Sequence, residues 1–310
     1  MPPRGPTRQT RAIRRLLLLA GACAVMLSAR AAASPYPFSV STRKNGQRHD
    51  LVASNRGSAP VSVRVSLTAA DNVRATQPLP HYAVVAPASE TILLSLFPAG
   101  TTRGQRFTFQ SRFSIGSYLA RPDSQAVYRL PYADGLSARV GQAPGGPLTT
   151  HVSPDSRHAI DFTVPVHTPI VAARDGTIIA AESSNLFGGQ QRELLAKANY
   201  VRILHADGTI ATYAHLSPGG VKVAPGEWVR SGTLIGASGA TGYASGPHLH
   251  FVVQRLVAGE EGFALVSLPV RFHVGDPAVV VEPTYGQVLS ATYDSPASLP
   301  PAGRKPSAAH

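Results

Sequence analysis

His248 and His250 stand one residue apart in Gly246-Pro247-His248-Leu249-His250-Phe251, and the apolar text continues through Val252 and Val253. Such a run predicts a β-strand. Side chains alternate across a strand, so the two imidazoles share a face. Histidines paired on a rigid element suit a metal site or an acid–base pair. Alone, His-x-His is a common surface pattern, and its company upstream decides its weight. Asp161 lies between Ile160 and Phe162, and His215 ends Tyr213-Ala214-His215-Leu216. A carboxylate among bulky hydrophobes is costly to bury unless it is paired or coordinates a metal. Each of the four, taken singly, reads as a satisfied core histidine or a turn cap. Four polar interruptions of apolar strands within one stretch point to a shared site.

The elements that must position these residues read as all-β. Residues 34–135 show short alternating strands, such as Val61-Ser62-Val63-Arg64-Val65-Ser66-Leu67, separated by turn clusters at Asn55-Arg56-Gly57-Ser58 and Pro78-Leu79-Pro80. About seven strands at this spacing predict an immunoglobulin-like sandwich. It carries no chemical motif, so it reads as a spacer or docking module. Residues 136–150, rich in Gly and Pro, read as a linker. In residues 151–256 two strands flank Asp175-Gly176, and two more flank Ala206-Asp207-Gly208, a hairpin signal. Glu193–Ala198 suits a short helix within a longer loop. Residues 257–282 read as a β extension in which His273 decorates a surface. His205 reads as a solvent-facing strand end. Residues 283–310, rich in Pro, Ser, Ala and Gly, read as a disordered tail.

Residues 1–33 read as a secretory signal peptide: a basic leader, an apolar run from Leu16 to Leu27 and the small residues Ala31-Ala32-Ala33. The apolar run is too short to span a bilayer comfortably. The chain carries a formal charge of +12, and removal of six leader arginines with no acids leaves +6. The single cysteine, Cys23, leaves with the leader, so a mature metal site must use His and carboxylates. The expected location is exported, in the periplasm or cell envelope. No arginine–aromatic interleaving favours nucleic acid.

The segments His158-Ala159-Ile160-Asp161-Phe162, Tyr213-Ala214-His215-Leu216 and Gly242 to Phe251, in this order, resemble the lysostaphin/LytM-type zinc metallopeptidases, which cut peptide crosslinks of peptidoglycan. The framework Pro225-Gly226-Glu227-Trp228-Val229-Arg230-Ser231-Gly232 agrees. The resemblance covers residues 145–256. It implies an antiparallel β metallopeptidase domain of the duplicated-hybrid or barrel-sandwich type, a zinc ion (Zn2+) held in part by Asp161 and His250, and a proton-handling pair, His215 and His248. It also implies peptidoglycan as substrate, with other cell-envelope proteins as further partners.

One departure matters. The family places its first ligand histidine four residues before the aspartate, where this chain has Arg157, a residue that stays protonated. His151 is the preferred replacement, because Pro154-Asp155-Ser156 can form a turn that returns it to the site. His158 is adjacent, but strand alternation turns it away. The third option is that no replacement exists and the site is impaired. His167 occupies a place where the family tends to have Gly and reads as a loop residue. The expected activity is a secreted zinc endopeptidase. The alternative is a metal-free regulator of other cell-wall hydrolases. A lipoyl-like carrier lacks its lysine at the Ala206-Asp207-Gly208 tip, and a chemistry-free wall-binding module needs only the sandwich.

Overall fold

The computed structural model describes residues 36–101, 104–275 and 279–293. The expected signal peptide lies outside the described residues. Among them no α-helix occurs; antiparallel sheets make up nearly the whole fold, so the chain is all-β. No helix among them is long and apolar enough to cross a membrane.

The N-terminal part pairs two sheets over one core. Four strands run in the order Phe38–Asn45, Arg48–Asn55, Ser89–Pro98, Val73–Ala75, and three in the order His81–Val85, Val61–Asp71, Arg106–Ile115. Alternation sends Leu51, Ala53, Leu94 and Leu96 inward from one sheet to meet Val63, Val65 and Val85 from the other. Each fully buried aliphatic side chain contributes about 1.5–3 kcal/mol of transfer free energy, which holds the sheets together.

The second core belongs to a nine-stranded antiparallel sheet. At its centre, Leu249–Gly259 lies between Ile210–Ala214 and Ile160–Thr163. Phe162, Tyr213 and Phe251 point into the core, where Tyr213 and Phe251 rings meet at 5.1 Å. Their sequence neighbours Asp161, Ala214 and His250 therefore fall on the opposite face of the same three strands.

This sheet is wider than the sequence implies. Ser137–Gln142, expected within a linker, pairs with Ile160–Thr163 on one side and Val288–Ser290 on the other. Ala138 and Val140 are buried there, so only about residues 143–150 behave as a loop. Residues 283–293, expected within a disordered tail, are instead packed on this sheet: Leu289 is buried, and the Tyr293 hydroxyl donates to the His273 carbonyl and accepts from Leu130 N–H. Residues 294–310 lie outside the described residues. Tyr128, Leu130 and Tyr132, read with the sandwich, belong to this second core. The expected helix near Glu193 is a single 3-10 turn, Arg192–Leu194. The hairpin Leu249–Gly259/Gly262–Leu268 reaches back to the sandwich, where Tyr82 Oη donates to the Gly259 carbonyl at 2.7 Å.

Two histidines are not at the surface. His205 is 3% exposed, its Nδ1 bonded to the Asp175 carbonyl at 2.8 Å and its ring against Tyr128. His273 is 6% exposed and packs on Tyr293. Alternation along one strand does not reveal such covers, because they come from segments far away in the chain.

Candidate metal centre

Register builds the site. Asp161 pairs directly with His250, and His250 with Ala214 on its other side. Directly opposite residues of an antiparallel pair project from the same face. The carboxylate and the imidazole therefore meet, with His250 Nδ1 3.0 Å from Asp161 Oδ1. The small Ala214 leaves room beside them. His248 lies two residues earlier on the same face, and its Nε2 stands 3.7 Å from Asp161 Oδ2.

His151 arrives from the loop before the sheet. Its Nε2 is 3.4 Å from Asp161 Oδ2, and its ring meets that of His250 at 4.8 Å. The turn at Ser153–Arg157, closed by hydrogen bonds from the N–H groups of Ser156 and Arg157 to the Ser153 carbonyl, reverses the chain between His151 and the strand of Asp161. Arg157 is exposed, and His158 is not among the converging groups.

One ligand-capable atom from each of His151, Asp161 and His250 lies within 4.8 Å of the other two. Two imidazoles and one carboxylate are the donor types zinc takes at a three-ligand site with an open position. The donor set fits a bound zinc ion.

His215 sits just past the end of Ile210–Ala214, in the left-handed region at φ 63°. A non-glycine residue there carries strain of order 1–3 kcal/mol, and such strain gathers at functional positions. The bend swings its imidazole towards the site, where the His215 and His248 rings are 4.6 Å apart. His215 Nδ1 is 2.7 Å from the Thr241 carbonyl and His248 Nδ1 is 2.8 Å from the Gly246 carbonyl. A carbonyl only accepts, so each Nδ1 carries the proton and each Nε2 presents a lone pair in the neutral ring. His167, also at positive φ (66°), is exposed in its loop, which accounts for glycine at such a place.

Burial pushes the His215 imidazole down to about 3, reinforced by charge at His248 and His250 and opposed by its bond to Thr241. His215 is therefore a neutral base near pH 7. Burial alone would raise the Asp161 carboxyl, but hydrogen bonds from His151 and His250, with their charge, outweigh it and hold the group below the usual range. It is ionised, the state in which a carboxylate can take a metal.

Gln142, which the motifs do not single out, also reaches the site. Its Nε2 donates to Asp161 Oδ2 at 2.8 Å. Its surroundings in the sequence, Gly141 and Ala143-Pro144-Gly145-Gly146, carry only a linker signal.

Residues 155–261 match the family described as peptidase family M23. This segment is an M23 peptidase domain. It is 37% identical over 113 residues to lysostaphin of Staphylococcus simulans, covering 36% of this chain and 20% of that protein. It is 39% identical over 105 residues to the peptidoglycan DD-endopeptidase ShyC of Vibrio cholerae, covering 34% of this chain and 21% of that one. The chain thus spans about a fifth of the length of these relatives. The solved structure of lysostaphin from Staphylococcus simulans is 29% identical, with a TM-score of 0.31, covering 41% of this chain and 47% of that chain. Asp161, His215, His248 and His250 fall inside the M23 domain, whereas His151 and Gln142 precede the matched segment.

Proposed function

We propose that this chain is an exported zinc endopeptidase that hydrolyses peptide bonds of peptidoglycan stem peptides or crosslinks. One observation carries the reading: donor atoms of His151, Asp161 and His250 converge within 4.8 Å, beside two further histidines that present free Nε2 lone pairs. The relative named as a peptidoglycan DD-endopeptidase supports the substrate class.

In this reading His151, Asp161 and His250 hold the ion. Zinc, when bound there, polarises a carbonyl and acidifies water. His215 Nε2, neutral and flanking the trio, accepts the proton of the attacking water. The resulting imidazolium returns that proton to the leaving amine. His248, whose Nε2 stands 3.7 Å from Asp161 Oδ2, is placed to donate from a protonated Nε2 to the oxyanion of the tetrahedral intermediate. Each Nδ1–H···O=C bond fixes its ring and tautomer, so reorganisation during the reaction is small.

The peptide runs beside the segment from Ser183 to Ala198, which forms one wall. Gly188–Gly189 pairs with Gly242–Tyr243, and Phe187 (73% exposed) and Tyr243 (42% exposed) offer apolar surface there. The leader composition supports export to the periplasm or envelope.

A second reading, a metal-free regulator, rests on Arg157 at the family's first-ligand position. The convergence of His151 favours the enzyme. Digestion of purified peptidoglycan, followed by mass spectrometry of released muropeptides, separates the two. The enzyme reading expects newly cleaved stem-peptide bonds that a zinc chelator abolishes. Intact muropeptides after zinc loading would overturn it in favour of the regulator.

A further inference from the structure

We infer that Gln142 is a positioning residue that clamps the loop carrying His151 onto Asp161 and thereby sets the zinc affinity of the site. The inference rests on the zinc reading above and adds to it a residue outside the M23 segment.

The side chain of Gln142 is used at both ends. Its Nε2 donates to Asp161 Oδ2 at 2.8 Å. Its Oε1 accepts from Thr150 N–H at 2.7 Å and from Thr150 Oγ1 at 3.2 Å. Thr150 is the residue immediately before His151. One amide therefore joins a carboxylate of the trio to the backbone next to one of its imidazoles. On the far side of His151, Gln254 Nε2 and Ser267 Oγ donate to the Asp155 and Pro154 carbonyls, each at 2.8 Å. On the near side Thr149 Oγ1 accepts from His151 N–H at a long 3.3 Å and Leu148 is 62% exposed, so Gln142 is the tie to the sheet there.

The placement of Gln142 has a visible cause. Phe162 pairs with Val140, so an unbroken antiparallel ladder would set Gly141 opposite Asp161. Instead the register shifts between Asp161 and Phe162, and Asp161 pairs with Gln142. An extra residue of this kind re-aims a side chain, as bulges beside active sites do. The residue absorbed is glycine for a steric reason: a Cβ at Gly141 would stand 2.7 Å from Thr163 Oγ1. The bulge thus exchanges a side-chain-free position for an amide that faces the carboxylate.

The physical effect follows. An N–H donor to Asp161 stabilises its ionised form and fixes its orientation. Holding the Thr150 backbone keeps His151 from leaving the site, which reduces the ordering that metal binding must otherwise supply. Partners of this outer kind typically change metal affinity about 10–100-fold. They matter more here, because His151 comes from a Gly/Pro-rich loop rather than from the turn of the aspartate strand.

The test is zinc affinity of the full chain, measured by competition with a chromophoric chelator. Gln142→Met removes all three hydrogen bonds at similar volume, and Gln142→Glu keeps the acceptor for Thr150 but loses the donor to Asp161. Both are expected to bind zinc at least about tenfold more weakly than the parent. The cobalt-substituted variants are expected to show altered d–d absorption, which a merely structural role would not produce. If Gln142→Met fails to fold, Gln142→Glu alone decides the matter. Affinity equal to the parent in either folded variant overturns the clamp and leaves the zinc reading intact. A parent chain that binds no zinc overturns both.

Discussion

The sandwich and the histidine-bearing sheet both bury polar groups, but they treat them differently. In the sandwich, Asn55 donates to the carbonyls of Ala59, Val85 and Ala86 and accepts from Gly57 N–H. Asp50 is held by Ser95 and lies 3.0 Å from Arg48 Nε. These groups are consumed by the fold. In the second region, donor atoms of His151, Asp161 and His250 converge within 4.8 Å, and His215 and His248 stand beside them with each Nδ1 bonded to a carbonyl and each Nε2 left over. Buried polarity that closes on itself holds a structure together, whereas polarity that converges with capacity left over is available for a ligand.

The largest expected effects probe that excess directly. His215→Ala and His248→Ala should each lower muropeptide cleavage about 10²–10⁴-fold, the usual contribution of a positioned proton-transfer group. Zinc content should stay at the parent level. Asp161→Ala and His250→Ala should lose the metal as well. Full activity of His248→Ala would show that the convergent histidines have been given the wrong roles.

The sandwich should respond in stability alone. Leu51 and Leu96 are fully buried, and truncating either to alanine should cost about 2–5 kcal/mol in urea unfolding. Zinc affinity of the folded fraction should not move. A parallel loss of affinity would mean the two regions are coupled through the hairpin that Tyr82 contacts.

His205 separates burial from function inside the same sheet. Burial drives its imidazole down to about 4, against a bond to the Asp175 carbonyl that raises it. The unfolded chain then binds the extra proton between about pH 6.5 and 4. Stability from this residue is full above that window and is lost as pH falls through it, by on the order of 3 kcal/mol. His205→Asn keeps a donor for Asp175 and cannot titrate, so its melting temperature should fall less between about pH 7 and 4.5. Parallel pH profiles of parent and variant would remove His205 as the source.

The smallest effect is expected at His158. It lies outside the converging group, so His158→Ala should bind zinc within about twofold of the parent, whereas His151→Ala should lose most of its affinity, given the role of each of three ligands. The reverse pattern in chelator competition would exchange the two.

Much of the site is legible in the sequence because a polar residue inside apolar strand text must have a reason to be there. Asp161 between Ile160 and Phe162, and His250 between Leu249 and Phe251, declare both their burial and their shared face. His151 is legible only as a candidate, since its return depends on the turn at Ser153. Gln142 is hidden, because glycines and prolines around it imitate a linker while Ala138 and Val140 hold a strand in the sheet. His205 and His273 look exposed for a related reason: Tyr128 and Tyr293, which cover them, are distant in the chain. Periodicity reports which face a residue takes, and what lies over that face is set by tertiary packing.

Every role assigned to the convergent histidines depends on His151, Asp161 and His250 gripping one divalent ion. Equilibrium dialysis of the full chain against zinc, with metal content read by mass spectrometry, measures this without reference to any substrate. Close to one zinc per chain is expected, with a large loss of it in Asp161→Ala. A folded parent protein that retains no zinc after loading would refute the metal centre.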